Sequence, residues 1–257
     1  MRNSGGAAVA RQLDLEKLNA EFETKKPQEI IAWAMREFKG KFAMTSSFGP
    51  ESGTLLHMAS CLDPAIPVLF LETGYHFPET LEYKSRLIEL FGLKNVMDLR
   101  ADTKRRDETI AAHDGRPYEK NPDLCCQVNK VEPLDAAIKK YAAWMSGIRR
   151  AQTDTRKSVR IVEYYEGGMY KVSPLANFTS RDTWWYLKEH KIPQHPLYEK
   201  GYLSVGCWPC TRPIQAGDDE RSGRWAGKSK KECGIHTFKE IAPQPDKESP
   251  ENISDNI

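Results

Sequence analysis

The sequence predicts an α/β fold with a doubly wound, mostly parallel sheet. Short apolar segments with strand character alternate with longer segments of helical periodicity in the first part of the chain. Residues 67–71 (PVLFL) are apolar at every position, which is typical of a strand covered on both faces. Strands that alternate with helices favour βαβ units, so we expect a parallel sheet with helices on both sides.

Helix boundaries in the first part of the chain are marked by proline and glycine. Pro27 stands near the first turn of the second predicted helix, and Gly40 lies just past its end. Gly92 follows the fourth predicted helix in the same way. The predicted helices cover residues 14–24, 27–38, 54–61 and 79–91, and the predicted strands cover residues 42–47, 67–71 and 95–99.

The pattern loosens beyond residue 105, but further elements can be predicted. Residues 131–140 have helical character and residues 143–148 have strand character. Residues 159–165 are predicted to pair with residues 169–172 through the turn Glu166-Gly167-Gly168. A last element, at 180–190 (SRDTWWYLKEH), has the pattern of a capped amphipathic helix.

The chain is expected to have three parts. Residues 1–13 form an N-terminal arm, and residues 14–225 form the α/β domain. Residues 226–257 form a mobile C-terminal segment, whose composition from Pro243 onward predicts a disordered tail.

Length, composition and charge exclude several classes of function. A chain of 257 residues with 39% hydrophobic content can bury one sizeable core. No apolar stretch approaches the roughly 20 residues of a membrane span, and residues 1–10 lack the apolar core of a signal peptide. The net charge of +2 is too small to argue for nucleic-acid binding. We therefore expect a cytoplasmic protein without a membrane or nucleic-acid partner, with a charge that suits a small anionic ligand.

Six cysteines are present, and their spacing does not predict a secreted disulfide framework. Cys125 and Cys126 are adjacent, and Cys207 and Cys210 form a Cys-x-x-Cys pair. Zinc sites use pairs separated by two to four residues, whereas an iron–sulfur cluster can offer different irons to neighbouring cysteines. The pattern favours a cluster, with zinc and an unmetallated redox pair as alternatives. Cys61, on an apolar helix, is expected to be a buried packing residue.

Two loops rich in small and polar residues each follow a predicted strand and precede a predicted helix. Residues 46–53 (SSFGPESG) and residues 71–80 (LETGYHFPET) would face one crevice if their strands are parallel neighbours. A plain helix-capping turn is the alternative for the first loop. The candidate ligand-binding residues in the two loops are Ser47, Phe48, Gly49, Glu51, Ser52, Leu71, Thr73 and Gly74.

Two segments that are distant in the sequence each contain a pair of arginines. Arg149 and Arg150 follow the fourth predicted strand, and Arg221 and Arg224 lie in the Gly-rich region that begins at Gly201. Guanidinium groups match phosphate or sulfate oxygens with two parallel hydrogen bonds. Any one of them could belong to a solvated face, but together they favour an oxyanion ligand.

Cys233 differs from the other cysteines in its surroundings. Lys228, Lys230 and Lys231 precede it, and nearby cations favour the thiolate form. Gly227 and Gly234 flank the segment and would allow it to swing. Cys233 is therefore a candidate nucleophile.

The motifs SSFGPES, LETGYHFPET, CCxxxK, WMSGIRR, CxxCTRP and ECGIH together resemble the sulfonucleotide reductases, in particular the assimilatory adenylyl-sulfate reductases. They occur in the order typical of that family and span residues 40–236. The resemblance implies the adenine-nucleotide α-hydrolase-like (PP-loop) fold. It further implies a [4Fe-4S] cluster held by Cys125, Cys126, Cys207 and Cys210, and a catalytic group made of Cys233, Lys130 and His236. Asn129, where arginine is expected, and Glu72, where aspartate is common, depart from the pattern.

The implied activity is the reduction of adenosine 5′-phosphosulfate to sulfite and AMP. An S-sulfocysteine forms on Cys233 and is resolved by thioredoxin or glutaredoxin, in assimilatory sulfate reduction and cysteine biosynthesis. A homo-oligomer is compatible with this family. 3′-Phosphoadenylyl sulfate is the alternative substrate, because the two activities share the nucleophile and the nucleotide loops. A tRNA-thiolating PP-loop enzyme is disfavoured because no SGGxDS loop is present, and a non-enzymatic metal-binding module leaves ECGIH unexplained.

Overall fold

The computed structural model describes residues 13–165, 168–215 and 217–235. The helices are Leu15–Phe22 (α1), Pro27–Glu37 (α2), Ser52–Leu62 (α3), Pro78–Phe91 (α4), Thr103–Ala111 (α5), Pro117–Lys120 (α6), Pro122–Cys126 (α7), Glu132–Ile138 (α8) and Ser180–Glu189 (α9). The strands are Phe42–Thr45 (β1), Val68–Leu71 (β2), Val96–Leu99 (β3), Ala143–Met145 (β4), Val162–Tyr165 (β5) and Met169–Val172 (β6).

The six strands form one sheet in the order β3-β2-β1-β4-β6-β5. Every neighbouring pair is parallel except β5 and β6, which form an antiparallel hairpin. The chain runs outward from β1 to β3 and returns to β4 on the other side of β1. This arrangement confirms the predicted doubly wound sheet. It also creates a topological switch point between β1 and β4, where ligands bind in such sheets.

Alternating side chains of the central strands enter two hydrophobic layers. Phe42 and Met44 of β1 pack into the larger layer, with side chains of α2, α3 and α4. Ala43, between them, packs on the opposite face with Leu134 and Ile138 of α8. Each buried aliphatic or aromatic side chain contributes about 1.5–3 kcal/mol. Helices on both faces therefore hold the carboxyl ends of the parallel strands in fixed positions.

Most predicted boundaries agree with the structure to within a few residues. Asp14 caps α1, since its carboxylate accepts a hydrogen bond from the Lys17 amide at 3.0 Å. Gly92 ends α4 in the left-handed conformation with φ of 60°. Five of the six strands are shorter than predicted, and β6 has the predicted bounds; β4 ends at Met145, so that Ser146 lies in the loop beyond it.

Three helices between β3 and β4 were not predicted. They are α5, α6 and α7, and a π-helical turn at Gln127–Val131 connects α7 to α8. Helix α8 therefore begins at Glu132, one residue later than expected. The prediction for Cys61 is wrong: its thiol is exposed on the surface of α3.

Some predictions fall partly or wholly outside the described residues. The hairpin between β5 and β6 is confirmed, whereas residues 166–167 of its turn are not described. Residues 1–12 of the predicted arm and residues 236–257 also lie outside the described part, and the boundary at residue 225 stays a prediction. Within the described ranges, no helix has the length and apolar character to cross a membrane.

Candidate active site at the carboxyl ends of the central strands

A cavity of about 220 Å³ lies where β1, β2 and β4 end. One water molecule takes up about 30 Å³ in the liquid, so the cavity has room for part of a small organic molecule. The loops after β1 and β2 confirm the expectation that they face one crevice. The predicted residues that line the cavity are Ser47, Gly49, Glu51, Ser52, Leu71, Lys130, Arg149, Arg221, Arg224, Cys207 and Cys233.

The loop after β1 is held by its own serines. The Ser52 hydroxyl accepts a hydrogen bond from the Gly49 amide at 2.9 Å, and the Ser46 hydroxyl accepts one from the Phe48 amide at 3.2 Å. Phe48 has a positive φ of 48° and is fully buried against Phe70, with ring centroids 5.5 Å apart. Phe48 therefore anchors the loop from below and does not line the cavity.

The loop after β2 is joined to the Cys-x-x-Cys segment. The buried Thr73 hydroxyl lies 3.4 Å from the Cys207 sulfur, and the Trp208 amide donates to the Tyr75 carbonyl at 2.8 Å. Gly74 has φ of 74° and is exposed, and a side chain there would meet the Arg106 guanidinium. Thr73 and Gly74 lie outside the cavity lining, and Thr73 contacts the Cys-x-x-Cys segment instead.

The two cysteine pairs face each other. Cys125, Cys126 and Cys207 are buried, Cys210 is half-buried, and all four are free thiols. The pKa of the Cys125 thiol is raised to about 12, first by burial and then by the charges of Cys126, Cys207 and Cys210. Within the described ranges, no three His, Cys, Asp or Glu side chains are placed to hold a single metal ion.

Asn129, one of the two departures from the family pattern, contacts this group of cysteines. Its side-chain amide donates to the Cys125 carbonyl at 2.9 Å and approaches the Cys125 sulfur at 3.8 Å. Asn129 thus places a neutral donor where a cation is expected. Glu72, the second departure, accepts a hydrogen bond from the Gly74 amide at 2.8 Å and so fastens the loop after β2.

Lys130 lies in the π-helical turn between α7 and α8 and lines the cavity. Burial would lower the pKa of its ammonium group, but the charges of Cys207, Cys126 and Cys233 outweigh that effect and raise the pKa above its ordinary value. Lys130 is therefore a cation on which cysteines of both pairs and Cys233 all act.

The four predicted arginines divide into three environments. Arg149 is almost fully buried and is bound to Glu51, to Glu220 at 3.5 Å, and to the hydroxyls of α9. Arg150 points away from the cavity and pairs with Glu23 at 2.7 Å. Arg221 and Arg224 line the cavity; Arg221 pairs with Glu232 at 3.2 Å, and Arg224 forms no ion pair with the residues that the structure describes.

Arg221 and Arg224 retain unused donors. The Nε of each is buried and has no hydrogen-bond partner within the described part of the chain. Burial, followed by the charge of Arg156, lowers the pKa of Arg221 to about 10. The Arg224 guanidinium lies 4.6 Å from the centre of the Trp225 ring and against the backbone of Gly206. Buried donors without partners are costly, so an anion that entered the cavity would be bound favourably.

The segment that carries Cys233 lies across α6 and α7. The Lys228 ammonium donates to the carbonyls of Tyr118 and Glu119 at 3.0 Å each, and Lys230 pairs with Asp123. Cys233 itself is half-buried and lines the cavity. His236 lies outside the described residues, so its predicted role stays a prediction.

Several cavity residues were not identified from the sequence. They include Arg156, in the short helical turn after β4, and His76, in the loop after β2. Ser46 belongs to the predicted loop but was not selected. The other unselected lining residues that carry polar groups are Thr45, Thr80, Ser146, Gln152, Thr183, Ser204, Glu220 and Trp225.

Comparison with known proteins agrees with the motifs. The family model described as the phosphoadenosine phosphosulfate reductase domain matches residues 41–213. The chain is 43% identical to an adenosine 5′-phosphosulfate reductase of Mesorhizobium japonicum, over 91% of this chain and 89% of that protein. It is 42% identical to a phosphoadenosine 5′-phosphosulfate reductase of Gloeobacter violaceus, over 88% of this chain and 94% of that protein.

Solved structures show the same fold. The crystal structure of phosphoadenylyl-sulfate reductase from Candida auris, in a phosphate complex, superposes with a TM-score of 0.68 at 25% identity, over 79% of this chain and 98% of that one. FMN adenylyltransferase of Candida glabrata superposes with a TM-score of 0.54 at 15% identity, over 82% of this chain and 70% of that one. At this identity the comparison shows a similar fold and nothing more. Because the family model covers the sheet, both strand-end loops and both cysteine pairs, the chain belongs to the phosphoadenosine phosphosulfate reductase domain family.

Proposed function

We propose that this protein reduces adenosine 5′-phosphosulfate to sulfite and AMP through an S-sulfocysteine on Cys233. One observation carries the proposal: the Cys233 thiol lines the same cavity as Lys130, Arg221, Arg224 and the loop after β1. A nucleophile, three cations and a strand-end loop thus converge at a topological switch point. The name of the Mesorhizobium japonicum relative supports the same substrate.

The first chemical step joins two sulfur atoms. The Cys233 thiolate attacks the sulfur of the phosphosulfate, the bond between that sulfur and the bridging oxygen breaks, and AMP leaves with the electron pair. Charge develops on the phosphate as it departs. Lys130, Arg221 and Arg224 are the cations near Cys233 that can stabilise it.

The second step reduces the adduct. A thiolate of thioredoxin attacks the Cys233 sulfur and displaces sulfite, and the second thioredoxin thiol then releases Cys233 and leaves thioredoxin as a disulfide. Two thiols are therefore oxidised for each sulfite formed. A glutaredoxin could supply the same pair of thiols.

The apolar side chains that line the cavity suit the adenine ring. Leu55, Leu69 and Leu175 line the cavity, beside the ordered serine loop after β1. Nucleotide sites combine such apolar contacts with a few placed polar groups. We therefore assign the nucleoside to the region between β1 and β4 and the phosphosulfate to the region near Cys233.

The cysteine quartet fits a [4Fe-4S] cluster. Four buried or half-buried free thiols from two segments face one another, and all four are sulfur donors, the set that such clusters use. Cys125, Cys126, Cys207 and Cys210 would hold the cluster, whose several irons would not require the four sulfurs to converge on one ion. Bound there, a cluster would fix the two cysteine segments beside Lys130. Cytoplasmic location is part of the same proposal, since free thiols persist in reducing compartments.

The test is intact-protein mass spectrometry after the anaerobic enzyme is mixed with adenosine 5′-phosphosulfate and no thioredoxin. The protein should gain one SO₃ group, about 80 Da by formula, on the peptide that contains Cys233, and reduced thioredoxin should remove it. A Cys233→Ser variant should gain nothing and should keep its iron. An adduct on another cysteine would show that the nucleophile is assigned wrongly. Parallel turnover with 3′-phosphoadenylyl sulfate tests the alternative substrate, which the Gloeobacter violaceus relative's name supports.

A further inference from the structure

The carboxylate next to Cys233 is bound by two arginines of the cavity. Arg156 donates its Nε to Glu232 Oε1 and its Nη2 to Glu232 Oε2, both at 2.8 Å. Arg221 donates a third hydrogen bond to Glu232 Oε2 at 3.2 Å. This group is well shielded from solvent, since the Arg156 side chain is 8% exposed and that of Glu232 18%.

The pair is supported from behind. Arg156 is also bound to the side-chain carbonyl of Gln152, and both residues lie in the short helical turns after β4. Glu232 is held as an anion: burial would raise its pKa, but the hydrogen bond from Arg156 and the charges of Arg221 and Arg156 lower it overall. A bidentate, charge-assisted pair of this kind fixes both partners in orientation.

Cys233 is therefore held between two attachments. On one side, Glu232, the residue before Cys233, is bound to Arg156. On the other side, Ile235 packs against the hydrophobic layer that contains Leu134 and Ile138. The thiol has little freedom to leave the cavity while both attachments remain. The lysine contacts to α6 and α7 fasten the chain further upstream.

We propose that Glu232 is a positioning residue that, bound to Arg156, holds the Cys233 thiol in the cavity for attack. This inference deepens the proposed function and rests on it for the catalytic consequence. The pair itself does not contact the reacting sulfur. Loss of the pair leaves the nucleophile chemically intact and places it in the cavity for a smaller fraction of the time.

The first experiment does not depend on the proposed function. Alkylation of Cys233 by iodoacetamide is followed by peptide mapping in the full-length holoprotein without nucleotide, and the exposed Cys61 serves as the internal standard. Glu232→Gln and Arg156→Ala should each raise the rate at Cys233 about tenfold, the effect of losing one charge-assisted interaction. Glu232→Asp, which keeps a shorter carboxylate, should give an intermediate rate.

The two variants separate positioning from simple electrostatics. Removal of the Glu232 charge would favour the Cys233 thiolate and speed alkylation, whereas removal of the Arg156 charge would disfavour the thiolate and slow it. Loss of the attachment between Glu232 and Arg156, in contrast, would speed alkylation of Cys233 in both variants. Lys231→Gln is the matched control: it removes one cation at an exposed neighbouring position and should not raise the rate. A rate in Arg156→Ala at or below the wild-type rate would overturn the proposal.

The second experiment measures turnover of adenosine 5′-phosphosulfate. Glu232→Gln should lower kcat about tenfold and leave KM within about twofold, since Arg221 and Arg224 remain to bind the anion. An unchanged kcat with faster alkylation would overturn the catalytic part. If the wild-type protein forms no adduct with either nucleotide, the proposed function fails while the alkylation result stands.

Discussion

Arg149 and Glu51 form an ion pair in the cavity wall, although 98 positions separate them in the sequence. Arg149 is 1% exposed, and Glu220 approaches the same guanidinium at 3.5 Å. Burial raises the pKa of Glu51, an effect that the Arg149 charge opposes. The geometry therefore favours a role for Arg149 as the counter-ion that holds the loop after β1. It does not favour Arg149 as a residue that contacts the substrate directly.

Arg149→Ala should accordingly destabilise the protein. It would leave a largely buried carboxylate without its partner, which costs about 3 kcal/mol in comparable sites. The measurement is urea unfolding followed by circular dichroism. The neighbouring Arg150→Ala is the matched control, because its partly exposed pair with Glu23 is expected to contribute less than about 1 kcal/mol. Equal losses in the two variants would contradict this interpretation.

Arg221 and Arg224 are expected to contribute to substrate binding. Replacement of either by alanine should lower kcat/KM by roughly tenfold to a hundredfold, the value of one charge-assisted contact of about 1.5–3 kcal/mol. The unfolding free energy should change little for Arg224, which makes no ion pair in the described part of the chain. Steady-state kinetics with adenosine 5′-phosphosulfate provide the test, and normal turnover in both variants would place the anion elsewhere.

Gly206 should behave as an indirect determinant of the same site. A Cβ at position 206 would lie 2.3 Å from a nitrogen of the Arg224 guanidinium, so Gly206→Ala must displace that side chain. We expect a loss in kcat/KM similar to that of Arg224→Ala, about tenfold. The double variant should lose little more than either single variant, because both changes remove one interaction. Additive losses would show that Gly206 acts by another route.

If Cys125, Cys126, Cys207 and Cys210 hold a [4Fe-4S] cluster, the protein should absorb visible light. Cys126→Ser and Cys210→Ser should each abolish the brown absorbance near about 400 nm expected of a [4Fe-4S] cluster, together with the activity. Cys61→Ser is the control, since its thiol is exposed on α3 and lies 3.6 Å from His57 Nε2, away from the two cysteine pairs in the sequence. Anaerobic purification followed by iron and sulfide analysis is the measurement. Stoichiometric zinc without iron would refute the assignment.

The loops and cysteine pairs could be predicted from sequence because each is a local pattern. A strand followed by small residues and a helix is recognisable within about ten positions. The pairing of Arg156 with Glu232 could not be predicted, because 76 positions separate them and either charge could equally be solvated. The sequence also could not show that Arg149 lines the cavity and that Arg150 lies at the surface. The two residues are adjacent and chemically identical, and they differ only in the direction in which the fold points their side chains.

Helices α5, α6 and α7 were missed for a different reason. Helix α5 is mostly charged and buries only Thr109, so it has no apolar stripe that periodicity could reveal. Helices α6 and α7 have four and five residues, which is too short for a repeating pattern. The π-helical turn that carries Lys130 also breaks the helical spacing.

The buried His195 predicts a pH dependence of stability. Its Nδ1 accepts a hydrogen bond from the Leu197 amide at 3.2 Å, and its Nε2 lies 3.1 Å from the hydroxyl of Thr80, a residue of the cavity wall. The ring is fully buried, and burial lowers its pKa to about 4, despite the opposing charge of Glu79. His195 is therefore neutral in the folded protein at neutral pH.

The unfolded chain binds a proton at His195 near pH 6.5, whereas the folded protein binds it only near pH 4. The free energy of unfolding therefore decreases as the pH falls from 6.5 toward 4, and His195 does not lower it well above pH 6.5. At about pH 5 the decrease should reach about 2 kcal/mol. Urea unfolding at about pH 7.5 and pH 5 should show this loss in the wild type. His195→Gln, which cannot titrate, should lose about 2 kcal/mol less over the same interval. Equal losses in the two proteins would show that His195 does not carry the effect.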